Sequence, residues 1–247
     1  MFSLGHTDGA IRGSAAHGTR VAVVQSNYIP WKGYFDLIAG VDVFVLYDDA
    51  QYTRRDWRNR NRIKTAHGVQ WLTVPVQVTG RYLQSVREVV VSDPGWAATH
   101  WRTLTHHYAK AAGFAQVAPA LEALYRDAAD RPRLSDINHH FLAGICTLLG
   151  IATPIRWSSE LALTGDRSER LLGMCRQLGA ATYVSGPAAR DYLDERLFQD
   201  AGISVEWADY SGYPEYRQLH APFDHHVSIV DLLFNEGARA RQFLKHA

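Results

Sequence analysis

Two short, unbroken apolar runs lie close together near the start of the chain, and the segment between them leaves few choices of fold. Val21-Ala22-Val23-Val24 and Val43-Phe44-Val45-Leu46-Tyr47 are apolar throughout, the pattern of strands covered on both faces. Between them Pro30 opens a stretch with Trp31, Phe35 and Ile38 at helical spacing, and Gly40 ends it. Strand, helix and strand in so little chain make a βαβ unit, which predicts an α/β fold with a central, mainly parallel sheet and flanking helices. Proteins of this class hold ligands just beyond the carboxyl ends of such strands.

Downstream, Gln70–Val78 and Val86–Ser92 read as two strands of a hairpin attached to the sheet, with Gly80 in the bend. Three helical patterns follow, Trp96–Ala111, Ala118–Ala129 and Ser135–Leu149, and form a helical insertion in the middle of the chain. In the third, Ser135 is a candidate cap, Ile137, Phe141, Ile145 and Leu148 share a face, and Gly150 is the stop. Alternation then resumes: helix Ser168–Leu178, strand Thr182–Ser185, helix Pro187–Ala201 and strand Ser204–Trp207. Gly186-Pro187 is either a simple turn or a helix start with backbone N–H groups open to an anion. Helices Ser228–Asn235 and Ala238–His246 close the chain. Residues 1–20, glycine-rich and polar, read as a flexible tail, and residues 21–247 as one domain of one or two lobes.

With 47% apolar residues the chain can bury a substantial core, and its net charge of +1 argues against binding nucleic acid by bulk electrostatics. Cys146 and Cys175 are isolated and lack C-x-x-C spacing, which fits a reducing cytoplasm and disfavours a thiolate metal site. No stretch approaches the roughly 20 apolar residues of a membrane span, and the start lacks the apolar core of a signal peptide.

Three constellations carry candidate chemistry. The first runs from Gln25 to Tyr34, where Gln25, Asn27, Tyr28, Trp31 and Lys32 concentrate amide, phenol and ammonium groups at a strand-to-helix turn suited to a phosphate or carboxylate. The second, Tyr47-Asp48-Asp49-Ala50-Gln51-Tyr52, places paired acids after a buried strand; Asp48 and Asp49 are candidates to hold a divalent metal, orient a sugar hydroxyl, act as a general base or neutralise the arginines that follow. Tyr52 joins this group. The third, Arg54 to Lys64, holds six basic residues against one acid, a local charge of +5. Extended, it places Arg54, Arg58, Arg60, Arg62 and Lys64 on one face, and Trp57, Asn59, Asn61 and Ile63 on the other; helical, it stacks Arg54, Arg58 and Arg62 at i, i+4. Arg55, Trp57, Arg58, Asn59, Arg60 and Asn61 are candidate binding residues, because guanidinium forks match phosphate oxygens.

Among twelve histidines none shows zinc-ligand spacing, so no metal is expected; His100, His107 and His220 are general-base candidates, with His107 put forward. The tyrosine-rich segment from Asp209 to Tyr216 offers Tyr210 and Tyr213 as a wall over a ligand. No nucleophile elbow, P-loop or full dinucleotide fingerprint is present.

The stretches Gln25–Asp36, Tyr47–Tyr52 and Trp57–Asn61 resemble successive blocks of the WbqC-like family, as do Gly179–Asp194, Asp209–Tyr216 and Ser228–Gly237. The resemblance implies a transferase of bacterial surface-polysaccharide or O-antigen biosynthesis that moves a glycyl or aminoacyl group from an activated donor to an amino sugar. It assigns no individual catalytic residue, and no cofactor is named by it. The expected partner is a phosphorylated small molecule or carrier-linked substrate: a nucleotide-sugar, an activated amino acid or an aminoacyl-tRNA. Two alternatives stay open, an ATP-dependent acid-activating enzyme and a non-catalytic protein that binds RNA or phosphosugars.

Overall fold

In the computed structural model, which describes residues 18–246, the leading βαβ unit forms as β1 (Arg20–Val24), α1 (Lys32–Ala39) and β2 (Val43–Leu46). The expected tail falls mostly outside the described residues. A hairpin of β3 (Arg60–Thr65) and β4 (Gly68–Thr73) follows, then α2 (Trp96–Tyr108), α3 (Phe114–Ala128) and α4 (Leu134–Leu149). The chain returns to the sheet with β5 (Ile155–Trp157), α5 (Arg167–Gln177), β6 (Thr182–Ser185), α6 (Glu195–Asp200) and β7 (Ser204–Trp207), and α7 (Ile229–Glu236) packs near the end.

Five strands pair in the order β5-β2-β1-β6-β7, and every pairing is parallel. Because side chains alternate across a strand, each strand feeds two cores. Val21, Val23, Val45 and Tyr183 point to one face, against Leu171 and Met174 of α5 and Phe198 of α6. Ala22, Phe44, Leu46 and Val184 point to the other, against Phe35 of α1, Phe141 of α4 and Phe234 of α7. The chain leaving β1 therefore turns to one face and the chain leaving β6 to the opposite face. That divergence opens a crevice between the ends of these neighbouring strands, the topological switch point of a doubly wound sheet.

Several expected elements differ from those observed. The hairpin is built from Arg60–Thr65 and Gly68–Thr73, stands apart from the main sheet, and turns at Gly68 rather than Gly80. Val86–Glu88 is a 3-10 turn, and the pairing expected along Gln70–Val78 and Val86–Ser92 survives only as the single bridge Val76 to Val91. Ser135 lies inside α4 instead of capping it, because its hydroxyl is drawn to Asp48. Gly150 does stop this helix, in the left-handed conformation (φ 66°) that a side chain disfavours. The helix expected over 187–201 is broken into a 3-10 turn, Pro187–Asp191, and α6, whose start is capped by the Asp194 side chain. The final expected helix is a 3-10 stretch, Gly237–Phe243. β5 escaped the sequence reading because three residues carry too little pattern.

Candidate functional site

The crevice at the switch point is a cleft of about 380 Å³ between the ends of β1 and β6. Val24 and Gln25 line it from β1, Tyr47 and Ala50 from the β2 end, Ser185 and Gly186 from the β6 end. Arg58, Arg167, Tyr192 and Tyr210 complete its walls. It opens into a shallower basin of about 640 Å³, which shares Gln25, Tyr47, Ala50 and Arg167 and adds Asp49, Gln51 and Arg170.

Local hydrogen bonding explains why the strand ends hold these positions. Asp48, buried at the end of β2, accepts from Ser26 N (2.8 Å) and from the Ser135 hydroxyl of α4. One turn along α4, Asn138 Nδ2 donates to Ser26 Oγ and to Arg58 O, both at 2.9 Å. Tyr34 OH donates to Gln25 O at 3.0 Å. Thus α4 and α1 brace the loops after β1 and β2 together, with Asp48 as the shared acceptor. Burial raises the Asp48 carboxyl pKa, and its hydrogen bonds from Ser135 and Ser26 oppose that rise. With both its oxygens engaged, Asp48 is a positioning residue.

Asp49 is placed differently. Its side chain is a quarter exposed and faces the basin, where it accepts from Ser158 Oγ (2.6 Å) and pairs with Arg87 (3.2 Å). Arg58 reaches from the loop after β2 to the cleft, donating to the side chains of Gln25 and Asn27, with Asp56 at 3.6 Å. Across the cleft the Arg167 guanidinium stacks on the Tyr192 ring, 3.3 Å from its centroid. Burial first, then the nearby Asp36 charge, pushes the Tyr210 phenol up to about 12, so it stays a neutral hydrogen-bonding group at physiological pH.

The expected arginine stripe does not act as a unit. Alternation holds from Arg60 onward, in β3, but only Arg58 lines the cleft. Arg54 and Arg55 face solvent, Arg60 stacks on Trp71 (4.2 Å), and Arg62 lies over Trp57 and Trp71. Lys64 is buried, its ammonium 3.3 Å from Gln218 Oε1. Asn27, Trp31, Trp57 and Asn61 gather around a separate pocket of about 270 Å³ with Pro30 and His226.

Other candidates are tied into the protein. Tyr28 is wholly buried, its hydroxyl held by His100 and Tyr125. Tyr52 OH donates to Asn59, whose amide donates to Val74 O. The Lys32 ammonium donates to Pro214 O (2.7 Å) inside a cage of Tyr213, Tyr216 and Phe223, and burial lowers its pKa to about 8. Tyr213 OH donates to the buried Asp36. His107 sits on α2 against His106, burial lowers its pKa, and it does not line the cleft. The sequence reading holds Ser26 only as part of the Gln25–Tyr34 stretch and Ser135 only as a helix cap, and it misses Asn138 and Arg167. A signal for the α4 pair is present: Ser135 and Asn138 are polar residues three apart on the apolar face of that helix.

Among the described residues, no helix is long and apolar enough to cross a membrane, and no cluster of three or more His, Cys, Asp or Glu could hold a metal ion. No solved structure matches the chain. The uncharacterized protein Rv1507c of Mycobacterium tuberculosis is 52% identical over 227 residues, which cover 92% of this chain and 98% of that relative. Residues 25–243 match the WbqC-like protein family, a span that runs from the loop after β1 through α7 and includes nearly all of the cleft's lining. The chain belongs to the WbqC-like protein family.

Proposed function

We propose that this protein is a transferase of polysaccharide-related biosynthesis that moves a glycyl or other aminoacyl group from an activated donor to an amino-sugar acceptor. Family membership supports the polysaccharide context. The observation that carries the rest is the cleft at the strand ends and the basin it opens into, lined by three guanidinium groups, Arg58, Arg167 and Arg170, and by the accessible Asp49 carboxylate.

An acyl group transfers to an amine only from an activated form, such as an acyl-adenylate, a thioester of a phosphate-bearing carrier, or an aminoacyl-tRNA. Each is polyanionic, and guanidinium forks suit phosphate oxygens. The acceptor nitrogen attacks the acyl carbon, a C–N bond forms, and the C–O or C–S bond to the leaving group breaks. The electron pair departs with the leaving group, and Arg58 and Arg167 stabilise its phosphate. Asp49 takes the ammonium proton as general base. Asp48 holds Ser26, and through it Gln25, in place.

The test is an assay of the purified protein with glycyl-adenylate, glycyl-thioester or glycyl-tRNA and a nucleotide-linked amino sugar. Amide formation is expected with one donor, and Asp49→Asn should reduce turnover by about 100-fold or more. No amide with any of the three donors rejects the reading. Binding of the donors without product would favour a non-catalytic carrier protein.

A further inference from the structure

Beside the cleft, the pocket formed by Asn27, Pro30, Trp31, Trp57, Asn61 and His226 has no part in the chemistry described so far. Trp57 is 39% exposed and Trp71, whose ring centroid lies 5.3 Å from that of Trp57, is 41% exposed. Trp71 stands behind Trp57, and the indoles that line the concave surface itself are Trp31 and Trp57, the kind of lining that ligand pockets use.

The backbone beneath this pocket is strained. Ile29 has φ 35°, a conformation that its branched Cβ disfavours. Such a residue persists only where its surroundings over-determine it, and these do. Tyr28 N donates to Trp57 O (3.1 Å), Asn61 Nδ2 to Tyr28 O (3.2 Å), Ser228 Oγ to Ile29 O (2.6 Å), and Ile229 N to Pro30 O (2.8 Å). The loop after β1, the hairpin and the start of α7 thus converge to fix the turn that carries Asn27, Pro30 and Trp31. Gly33 contributes by omission: a Cβ there would lie 2.3 Å from Trp31 Cζ2, so glycine alone lets the indole fold into its position.

The charges nearby are already spent. Arg62 lies over the two indoles and gives its Nη2 to His226 O (2.7 Å), and Arg60 stacks on Trp71. Asn61 is engaged on both sides, by Arg62 N and Tyr28 O. What remains toward the pocket is indole faces, the Asn27 amide N–H2 group, which has no partner among the described residues, and the exposed His226 imidazole, with Asp224 Oδ1 at 3.6 Å from its Nδ1. Indole faces meet the C–H face of a pyranose, and a free amide with an imidazole suits hydroxyl groups, which both donate and accept. A phosphate finds no unspent guanidinium group here, since Arg60 and Arg62 are both engaged. The wall shared with the cleft is the Arg58–Asn27 contact and Trp31, which packs edge-on against Tyr210 at 5.3 Å.

We infer that this aromatic pocket is a carbohydrate subsite that seats the pyranose ring of a hexosamine beside the guanidinium-lined cleft. The assignment of that ring as the acyl acceptor rests on the transfer reading; the occupancy of the pocket by a sugar does not.

The experiment is ligand-observed saturation-transfer NMR with tryptophan fluorescence, using unphosphorylated glucosamine and N-acetylglucosamine as probes on the full chain. Saturable binding is expected, weakened about tenfold or more in Trp57→Ala and Asn27→Ala and largely restored in Trp57→Phe. Trp57 is exposed enough that its replacement leaves the core intact, and thermal unfolding of each variant checks this. Three results overturn the inference: no sugar binding to the wild type, unchanged affinity in both the Trp57→Ala and Asn27→Ala variants, or displacement of the sugar by free adenine at lower concentration than by a second sugar. Sugar binding without amide formation would leave this subsite standing and sink the transfer reading. Amide formation with an acceptor KM unchanged in Trp57→Ala would do the reverse.

Discussion

Asp48 accepts hydrogen bonds from Ser26 N and the Ser135 hydroxyl inside the protein, whereas its neighbour Asp49 faces the basin beside Ser158 and Arg87. The two carboxylates should therefore respond oppositely to the same substitution. Asparagine at 48 keeps an acceptor for Ser26 N–H and removes a group whose charged form burial disfavours, so Asp48→Asn should alter stability by less than about 1 kcal/mol and retain turnover. Asp48→Ala leaves two buried donors without an acceptor and should cost about 1–3 kcal/mol in urea unfolding. Asp49→Asn should leave the unfolding midpoint in place and lose activity. An inactive Asp48→Asn with an active Asp49→Asn would exchange their roles. At this scale the sequence pointed to Gln25, Asn27, Arg58 and the acid pair because polar groups crowd the ends of two strongly apolar runs. It could not reveal Arg167, which reaches the cleft from a later βα unit, nor that Lys32 is enclosed by Tyr213, Tyr216 and Phe223 from a distant loop.

The hairpin of β3 and β4 shows how a strong signal can hide a weaker one. Arg54 to Lys64 draws attention as a charged run, yet Asn61 and Ile63 are buried while Arg60 and Arg62 are partly exposed, the period of a strand. Its partner, Gly68–Thr73, overlaps the expected strand Gln70–Val78, which the sequence pairs with Val86–Ser92 because Gly80 offers a second bend. The turn that decides the matter closes with Thr65 Oγ1 donating to Gly68 O (2.8 Å), with Gly68 at φ 104°. A Cβ at Gly68 would meet nothing within 4 Å, so the penalty for alanine is conformational rather than steric. Gly68→Ala should destabilise the hairpin by about 1 kcal/mol or more. Because β3 and β4 carry Arg62 and Trp71, hydrogen exchange should rise along Arg60–Thr73 and sugar affinity should fall, while phosphate-bearing donors bind as before. Faster exchange spread evenly over the five-stranded sheet would show that the hairpin is not a separate cooperative unit.

Across the whole molecule, the parallel sheet was legible because buried strands separated by helical spacing admit little else. The strand order was not, since nothing local to β6 says that it lies against β1 rather than β5. The same long-range packing sets the acid response of the fold. His100 is buried between Tyr28, whose hydroxyl lies 2.9 Å from Nδ1, and Thr73 O, 3.2 Å from Nε2. The carbonyl requires the proton on Nε2, so Nδ1 accepts from Tyr28. Burial lowers the His100 pKa to about 4 from its ordinary 6.5, with the Thr73 hydrogen bond opposing. The unfolded chain thus binds a proton more readily than the folded one between those values. Stability should therefore be fully present above pH 6.5 and fall as pH drops toward 4, by up to about 3 kcal/mol from this residue. His139 and His140, also lowered by burial, act in the same direction. Asp48 and Asp231, raised by burial, act in the opposite one: their favoured neutral forms return as pH falls through their folded values. His100→Gln preserves a donor for Thr73 and an acceptor for Tyr28 without a group that titrates. It should unfold at lower urea than the wild type at pH 7.5, yet lose less between pH 6.5 and 4.5. If both proteins fall with the same slope, His100 is not the group that couples protonation to unfolding, and the burden passes to the histidines of α4.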